Sequence, residues 1–355
     1  MAELYSSERN IKIIRKLREL LRDLPVFCSE FAVGVENTTT PLTRLNYIID
    51  VKIFLHYLID EKVLPLNSVK DISLDALDKL PVSVFESFLS YVTAYGDDDN
   101  IRTNTEYGKA RKLSALRALF KFFYKREKLS RNAVALIDTP KIHTKNIIRL
   151  DIKEIEQILE TAQNGEGLTS RQKSYHELTK VRDLAILTLF LGSGIRISEL
   201  VGIDVQDIDI ENREFVITRK GGNQDILPFG DEVMEALEAY LEIRRGIIPA
   251  EGHEEAFFLS MQRKRINVRT VENLVKKYAA IAAPLKKISP HKLRSTYGTM
   301  LYNKTGDIYI VADMLGHKDV NTTRKHYAEI EKDRKRYAAE VIKLKNTDHT
   351  ADNED

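Results

Sequence analysis

Apolar positions recur at three- and four-residue intervals through the first 140 residues, as in Tyr47, Val51, Phe54, Leu55 and Leu58 and again in Leu113, Leu116, Phe120 and Phe123. That period belongs to amphipathic helices, so the spacing predicts a small helical bundle over residues 1–140. The run Asp97-Asp98-Asp99-Asn100 is too polar to pack and reads as a loop. From Thr139-Pro140-Lys141 to Asn146 there is a proline, no apolar period and several charges, which marks a linker over 141–149 between two domains.

A second domain is predicted over 150–345. Asp151 with Glu154 three residues later is a capping-box start for a helix to about Ala162, and a longer apolar helix is expected from about Leu178 to Leu191. Glu214–Thr218 and Gln224–Pro228 read as two short strands around Lys220-Gly221-Gly222, a hairpin with Lys220 at its tip or edge. Helical spacing returns over Val233–Ile243, Val268–Ala282, Pro290–Asn303, Ile308–Leu315 and Lys332–Leu344. The expected fold is mainly α: an N-terminal helical bundle, then a mostly helical domain with a small antiparallel sheet. Residues 346–355, ending Asp352-Asn353-Glu354-Asp355, are polar and acidic and read as a disordered tail.

The chain has 355 residues, more than one typical domain, and 43% of them are hydrophobic, enough for two cores. A single cysteine, Cys28, excludes an internal disulfide framework and a cysteine-rich zinc module, and suits a reducing compartment. No apolar stretch approaches the about 20 residues of a membrane span, and the first ten residues carry no signal peptide pattern. The expected setting is the cytoplasm, with no membrane partner. Lys and Arg number 55 against 53 Asp and Glu, so net charge alone announces no nucleic-acid partner. Clustering carries that argument instead. The non-apolar face of the Leu113–Phe123 helix holds Lys109, Arg111, Lys112, Arg117, Lys121, Lys125, Arg126 and Lys128, against only Glu106 and Glu127. A surface that tracks phosphates and an ordinary exposed helix face both fit this pattern.

The residues best suited to chemistry lie in the last half. Ser289-Pro290 is a helix start, so His291 and Arg294 fall one turn apart near a helix N-terminus, where backbone N–H groups and the helix dipole favour an anion. Arg196 precedes Glu199 by three residues, and the carboxylate there can orient the guanidinium or form a simple ion pair. His317 follows Gly316, a helix stop, and Tyr327 comes ten residues later. A tyrosine has a pKa of about 10 and attacks a phosphodiester only if cationic groups neutralise the phosphate. Each feature alone also fits an unremarkable surface residue. Gly192-Ser193-Gly194 and Gly221-Gly222 match no nucleotide-binding fingerprint.

Taken in order, Arg196, Lys220, His291-x-x-Arg294, Leu315-Gly316-His317 and Tyr327 on a mainly helical domain resemble the signature of tyrosine recombinases, the lambda-integrase-like family. The preceding basic bundle ending in Thr139-Pro140-Lys141 looks like that family's core-binding domain. Without an additional arm-binding domain, the chain is most similar to Xer-type members, and Thr218-Arg219-Lys220-Gly221-Gly222 with a long insertion at about Asn164–Lys180 looks like those that act alone. The resemblance implies a homotetramer on two DNA duplexes and a reaction at a double-stranded recombination site without metal, cofactor or external energy. Tyr327 would form a 3′-phosphotyrosyl link while Arg196 and Arg294 stabilise the phosphate oxygens. His291 and His317 would bond the phosphate, Lys220 would protonate the leaving 5′-hydroxyl, and Glu199 would support Arg196. Two positions depart from the common pattern: Ser295 stands where many members have histidine, and Ala133 where proline is common after Asn132. The helix after Tyr327, with Ile330, Tyr337, Val341 and Leu344, would dock on a neighbouring protomer or pack in cis.

The biological role implied is resolution of chromosome dimers before cell division, with a division-coupled DNA translocase as a possible partner. The rival roles are an integrase or excisionase of a mobile element, and a DNA-binding protein that has lost catalysis.

Overall fold

The computed structural model describes residues 2–96, 100–142, 148–219, 222–317 and 320, with side chains from residue 10. The chain divides into two compact units, one over Leu4–Lys145 and the other built on Asn146–Asp355. Both are dominated by helices, with only small antiparallel sheets.

In the first unit the helices α1 (Ala2–Leu21), α2 (Val26–Gly34), α3 (Pro41–Asp60), α4 (Leu74–Asp78), α5 (Val82–Tyr91) and α6 (Glu106–Tyr124) enclose one core. Two local signals start α3: Pro41 occupies the first turn and the Thr40 hydroxyl accepts the Thr43 N–H at 3.2 Å. Aromatic rings fill the centre, with Phe54 stacked on Phe85 at 5.3 Å and Phe85 edge-on to Phe120 at 5.1 Å. A short hairpin, β1 (Ala94–Tyr95) with β2 (Arg102–Thr103), joins α5 to α6. Two-residue strands give no period, and nothing in the sequence predicts this hairpin.

The second unit is organised by α8 (Ser170–Ser193), which packs against α7 (Ile152–Asn164), α10 (Asp231–Arg245) and α12 (Pro290–Thr305). Its segment from Ala185 to Leu191 is buried on every side, which explains why it reads as apolar without an amphipathic stripe. α7 has the expected capping box: Glu154 N–H bonds Asp151 at 2.9 Å and Asp151 N–H bonds Glu154 at 2.8 Å. The helix expected from Leu178 begins eight residues earlier, at Ser170. A second capping box, Thr169 with Gln172, starts it there, so much of the supposed 164–180 insertion is regular helix.

After the four-residue helix α9 (Ile197–Leu200) comes a sheet ordered β3 (Ile208–Asp209), β4 (Glu214–Thr218), β5 (Gln224–Pro228). β4 and β5 pair in the register Thr218↔Gln224 to Glu214↔Pro228, burying Phe215, Ile217 and Leu227. β3 is too short to be seen in the sequence pattern. α11 (Val268–Ala282) has the expected limits, and α13 (Ile308–Met314) follows α12. Ser289 occupies the position before α12, but its side chain makes no capping bond; Pro290 alone marks the start. The 97–99 loop residues, Lys220, Gly221, Tyr327, the expected Lys332–Leu344 helix and the acidic tail lie outside the described residues. Among the described residues no helix is long and apolar enough to cross a membrane.

Candidate active site

α13 ends in a turn that organises the cluster. Gly316 adopts φ +56°, its N–H bonds Asp313 O at 2.7 Å, and the His317 N–H reaches back to Ala312 O at 2.9 Å. This left-handed closure stops the helix and sets the backbone of His317, a half-buried residue. The turn is held from below by a small core of Tyr302, Val311 and Leu315.

Helix ends leave carbonyls without intrahelical partners, and here arginines bond them. Arg294, only 4% exposed on α12, donates to Leu315 O and, at 2.6 Å, to Gly194 O. Arg196 donates to Leu315 O at 3.3 Å and Gly316 O at 3.1 Å. Two of the arginines singled out in the sequence therefore meet on one carbonyl. Gly194, whose carbonyl Arg294 bonds, ends α8 at φ +64°; a Cβ there would lie 2.3 Å from the Tyr297 ring and 3.0 Å from Leu315, so the close packing of α8 on this turn needs a glycine.

Glu199 supports Arg196, with a geometry different from a shared helix face. Arg196 is the residue just before α9, and the buried Glu199 folds back onto it. One carboxylate oxygen accepts Arg196 Nη1 at 2.7 Å and the other accepts Arg196 backbone N–H at 2.7 Å. His291 is exposed in the first turn of α12, one turn before Arg294.

Arg219 enters the sequence pattern only within the 218–222 run and is given no role there. It donates to Asp225 Oδ2 from Nε at 2.9 Å and to Met314 O at 3.3 Å, and its Nη1 lies 3.5 Å from Glu199. Its partners stand at positions 199, 225 and 314, so no local motif announces what it holds. Arg219 and Arg196 face the same carboxylate, Glu199, and Arg196 shares the Leu315 carbonyl with Arg294. Arg196 and Arg294, guanidiniums that meet in a partly buried setting, suit an anion such as a phosphodiester.

Residues 148–334 match the phage integrase family. The protein is a tyrosine recombinase of that family. The recombinase is 32% identical to tyrosine recombinase XerC of Caldanaerobacter subterraneus, over 80% of this chain and 77% of that protein. It is 29% identical to tyrosine recombinase XerS of Lactococcus lactis, over 88% of this chain and 94% of that one. Its fold is shared with a XerH site-specific recombinase solved in a post-cleavage complex with a palindromic difH substrate, with a TM-score of 0.62 and 21% identity over 85% of this chain and 80% of that chain.

The basic helix of the recombinase's first unit is α6, and its cations are not equivalent. Lys121 is exposed, whereas Lys109 is half-buried beside Glu106 at 3.3 Å. Arg111 is exposed but paired with Asp50 at 2.7 Å. Arg117 donates to Thr139 Oγ1 at 2.8 Å and to Ile137 O, fastening the 137–139 segment to α6. Lys112 is misassigned by the sequence pattern. It is 2% exposed, donates to Asn104 Oδ1 at 2.8 Å and lies 4.0 Å from the buried Asp50 carboxylate. A lysine stays charged in a core only when paired, and Asp50 on α3 is the anion the pattern along α6 does not reveal. Desolvation nonetheless lowers the Lys112 pKa and pushes the Asp50 carboxyl up to about 6, against the pull of Arg111 and Lys112. Among the described residues no group of three or more His, Cys, Asp or Glu side chains is arranged to hold a metal ion.

Proposed function

We propose that the recombinase cuts and rejoins double-stranded DNA at a specific site through a 3′-phosphotyrosyl intermediate, and that it resolves chromosome dimers. The Tyr327 phenolate oxygen attacks the scissile phosphorus, the bond from phosphorus to the 5′-oxygen breaks, and the ammonium of Lys220 gives that oxygen its proton. Arg196 and Arg294 stabilise the charge that grows on the two nonbridging oxygens, and Glu199 keeps Arg196 aimed. His291 and His317 bond the phosphate and take up the tyrosine proton. Because the phosphotyrosyl link conserves the bond energy, a 5′-hydroxyl from the partner duplex can reverse the step, and two such exchanges pass through a Holliday junction without ATP.

The observation that carries this reading is the meeting of Arg196 and Arg294 on Leu315 O, next to His317 and above the buried Glu199. The Xer relatives support the chromosomal role. In this reading the first unit is the core-binding domain: the exposed Lys121 and Arg111 track the phosphate backbone, with Lys109 and Arg117 at its margin. Four protomers assemble on two duplexes in the cytoplasm, and a division-coupled DNA translocase licenses the exchange.

The test is a plasmid carrying two direct copies of a candidate chromosomal site, incubated with the protein and a chelator. The expected products are two smaller circles with a Holliday junction as intermediate. Site-bound protein that yields neither, with or without the translocase, contradicts the proposal. For the chromosomal role, cells lacking the protein should form chains and filaments, and the defect should vanish when homologous recombination is also disabled, since no dimers then arise.

A further inference from the structure

We infer that Arg219 is a positioning residue for the leaving-group proton: it pins the base of the β4–β5 hairpin, where Lys220 follows it in the chain, against the turn that carries His317. The inference rests on the reading of Lys220 as the acid.

Its backbone closes the end of the hairpin. Arg219 N–H bonds Asn223 O at 2.7 Å and Gly222 N–H bonds Arg219 O at 3.0 Å, with Gly222 at φ +90°. Its side chain, 11% exposed, crosses to the other arm, where Nε and Nη2 lie 2.9 and 2.8 Å from Asp225 Oδ2. From there Nη2 reaches Met314 O at 3.3 Å, and a Cβ on Gly316 would fall 2.6 Å from Arg219 Cζ, so the guanidinium lies flat against the turn's backbone. Nη1 is buried with no hydrogen-bond partner among the described residues and faces the Glu199 carboxylate at 3.5 Å.

An arginine serving only the hairpin would end at Asp225. This one spends a buried, rigid fork on three elements at once: the hairpin, the turn before His317 and the glutamate beneath Arg196. A lysine is a point charge on a flexible stem and cannot hold all three. Lys220 is the next residue in the chain, so freeing this end of the hairpin is expected to weaken the proton donor of the proposed mechanism. A displacement of about 1 Å at a reacting group costs about 100-fold in rate, so loss of the anchor reads out in cleavage.

The experiment compares single-turnover cleavage of two suicide substrates, one with the normal 5′-oxygen and one with sulfur in its place. A thiol has a pKa of about 8.5, so sulfur leaves as thiolate and needs no proton donor. On the oxygen substrate, Lys220→Ala should lose about 10²- to 10⁴-fold and Arg219→Gln about 100-fold, with a smaller loss for Asp225→Asn. On the sulfur substrate all three should recover the wild-type rate. Asp225 is 43% exposed, so Asp225→Asn carries the same test should Arg219→Gln fail to fold. If Lys220→Ala recovers and the Arg219 and Asp225 variants do not, Arg219 serves the phosphate through Glu199 and the inference is overturned. If Lys220→Ala itself does not recover, Lys220 is not the acid, and both the reading and the inference fall.

Discussion

Replacing Glu199 by glutamine probes the support of the candidate active site with little change of shape. The carboxylate offers two oxygens, each 2.7 Å from a donor on Arg196, and one of them also faces Arg219 at 3.5 Å. Glutamine has one oxygen, so one Arg196 donor keeps an acceptor and the other meets an NH2 group. Losing a charge-assisted hydrogen bond costs about 1.5–3 kcal/mol, and breaking a fully buried ion pair about 3–5 kcal/mol. Arg196 is 32% exposed and can turn to water, which favours the lower range. We expect Glu199→Gln to lose about 2–3 kcal/mol, a fall of about 4–12 °C in melting temperature for a unit of this size. With one of its two acceptors lost, Arg196 is held less firmly, and a drift of about 1 Å in the guanidinium costs about 100-fold in cleavage rate. Thermal melts and single-turnover cleavage of a nicked suicide substrate read the two effects separately. A melting point and a cleavage rate both equal to wild type would refute the reasoning; a lower melting point with an unchanged rate would make Glu199 purely structural.

Gly316→Ala should destabilise the second unit by about 2–4 kcal/mol, from the left-handed backbone and the displaced Arg219 contacts, and should slow cleavage; equal activity and melting point would show that the turn tolerates a Cβ. Lys112→Met should lower the melting point of the protein, whereas Lys121→Ala should leave it unchanged, weaken DNA binding and reduce the slope of log affinity against log salt by about 1; a binding loss confined to Lys112→Met would reverse the assignment of the two. Asp50 gives a pH signature. Its carboxyl is pushed up to about 6 from 3.8, so between those values the unfolded chain ionises first and stability falls as pH rises, then stays level above pH 6. That slope amounts to about 3 kcal/mol at about 1.4 kcal/mol per pH unit, and melts of wild type and Asp50→Asn from pH 4 to 7 should differ by it; parallel curves would contradict the buried carboxylate.

Much of this molecule can be read along the chain because its helices are long and periodic. α11 and the β4–β5 hairpin need only the apolar spacing, and Asp151 with Glu154 names the start of α7. The N-terminal third of α8 is missed because its exposed turns are polar and show no stripe, although Thr169 and Gln172 mark its start. The sites of close approach are harder. Gly194 looks like part of a loop, yet it is what lets α8 end against Tyr297. Lys112 is counted with the surface cations because its partner, Asp50, sits on another helix. Arg219 has one partner on the adjoining strand and two far away in sequence, so only the folded chain shows what it holds. Charge patterns along one helix report which residues can meet solvent, and a buried pair contributed by two helices defeats them.

The central claim, that Tyr327 attacks DNA at a site built on Arg196 and Arg294, is tested most directly by trapping the covalent intermediate. The native protein is incubated with a nicked suicide substrate bearing a candidate site, in chelator, and resolved on a denaturing gel. The account predicts a protein–DNA adduct that disappears in Tyr327→Phe and is strongly reduced in Arg196→Ala and Arg294→Ala. An adduct that persists in Tyr327→Phe, or site binding by the native protein with no adduct even when the translocase is present, would contradict it.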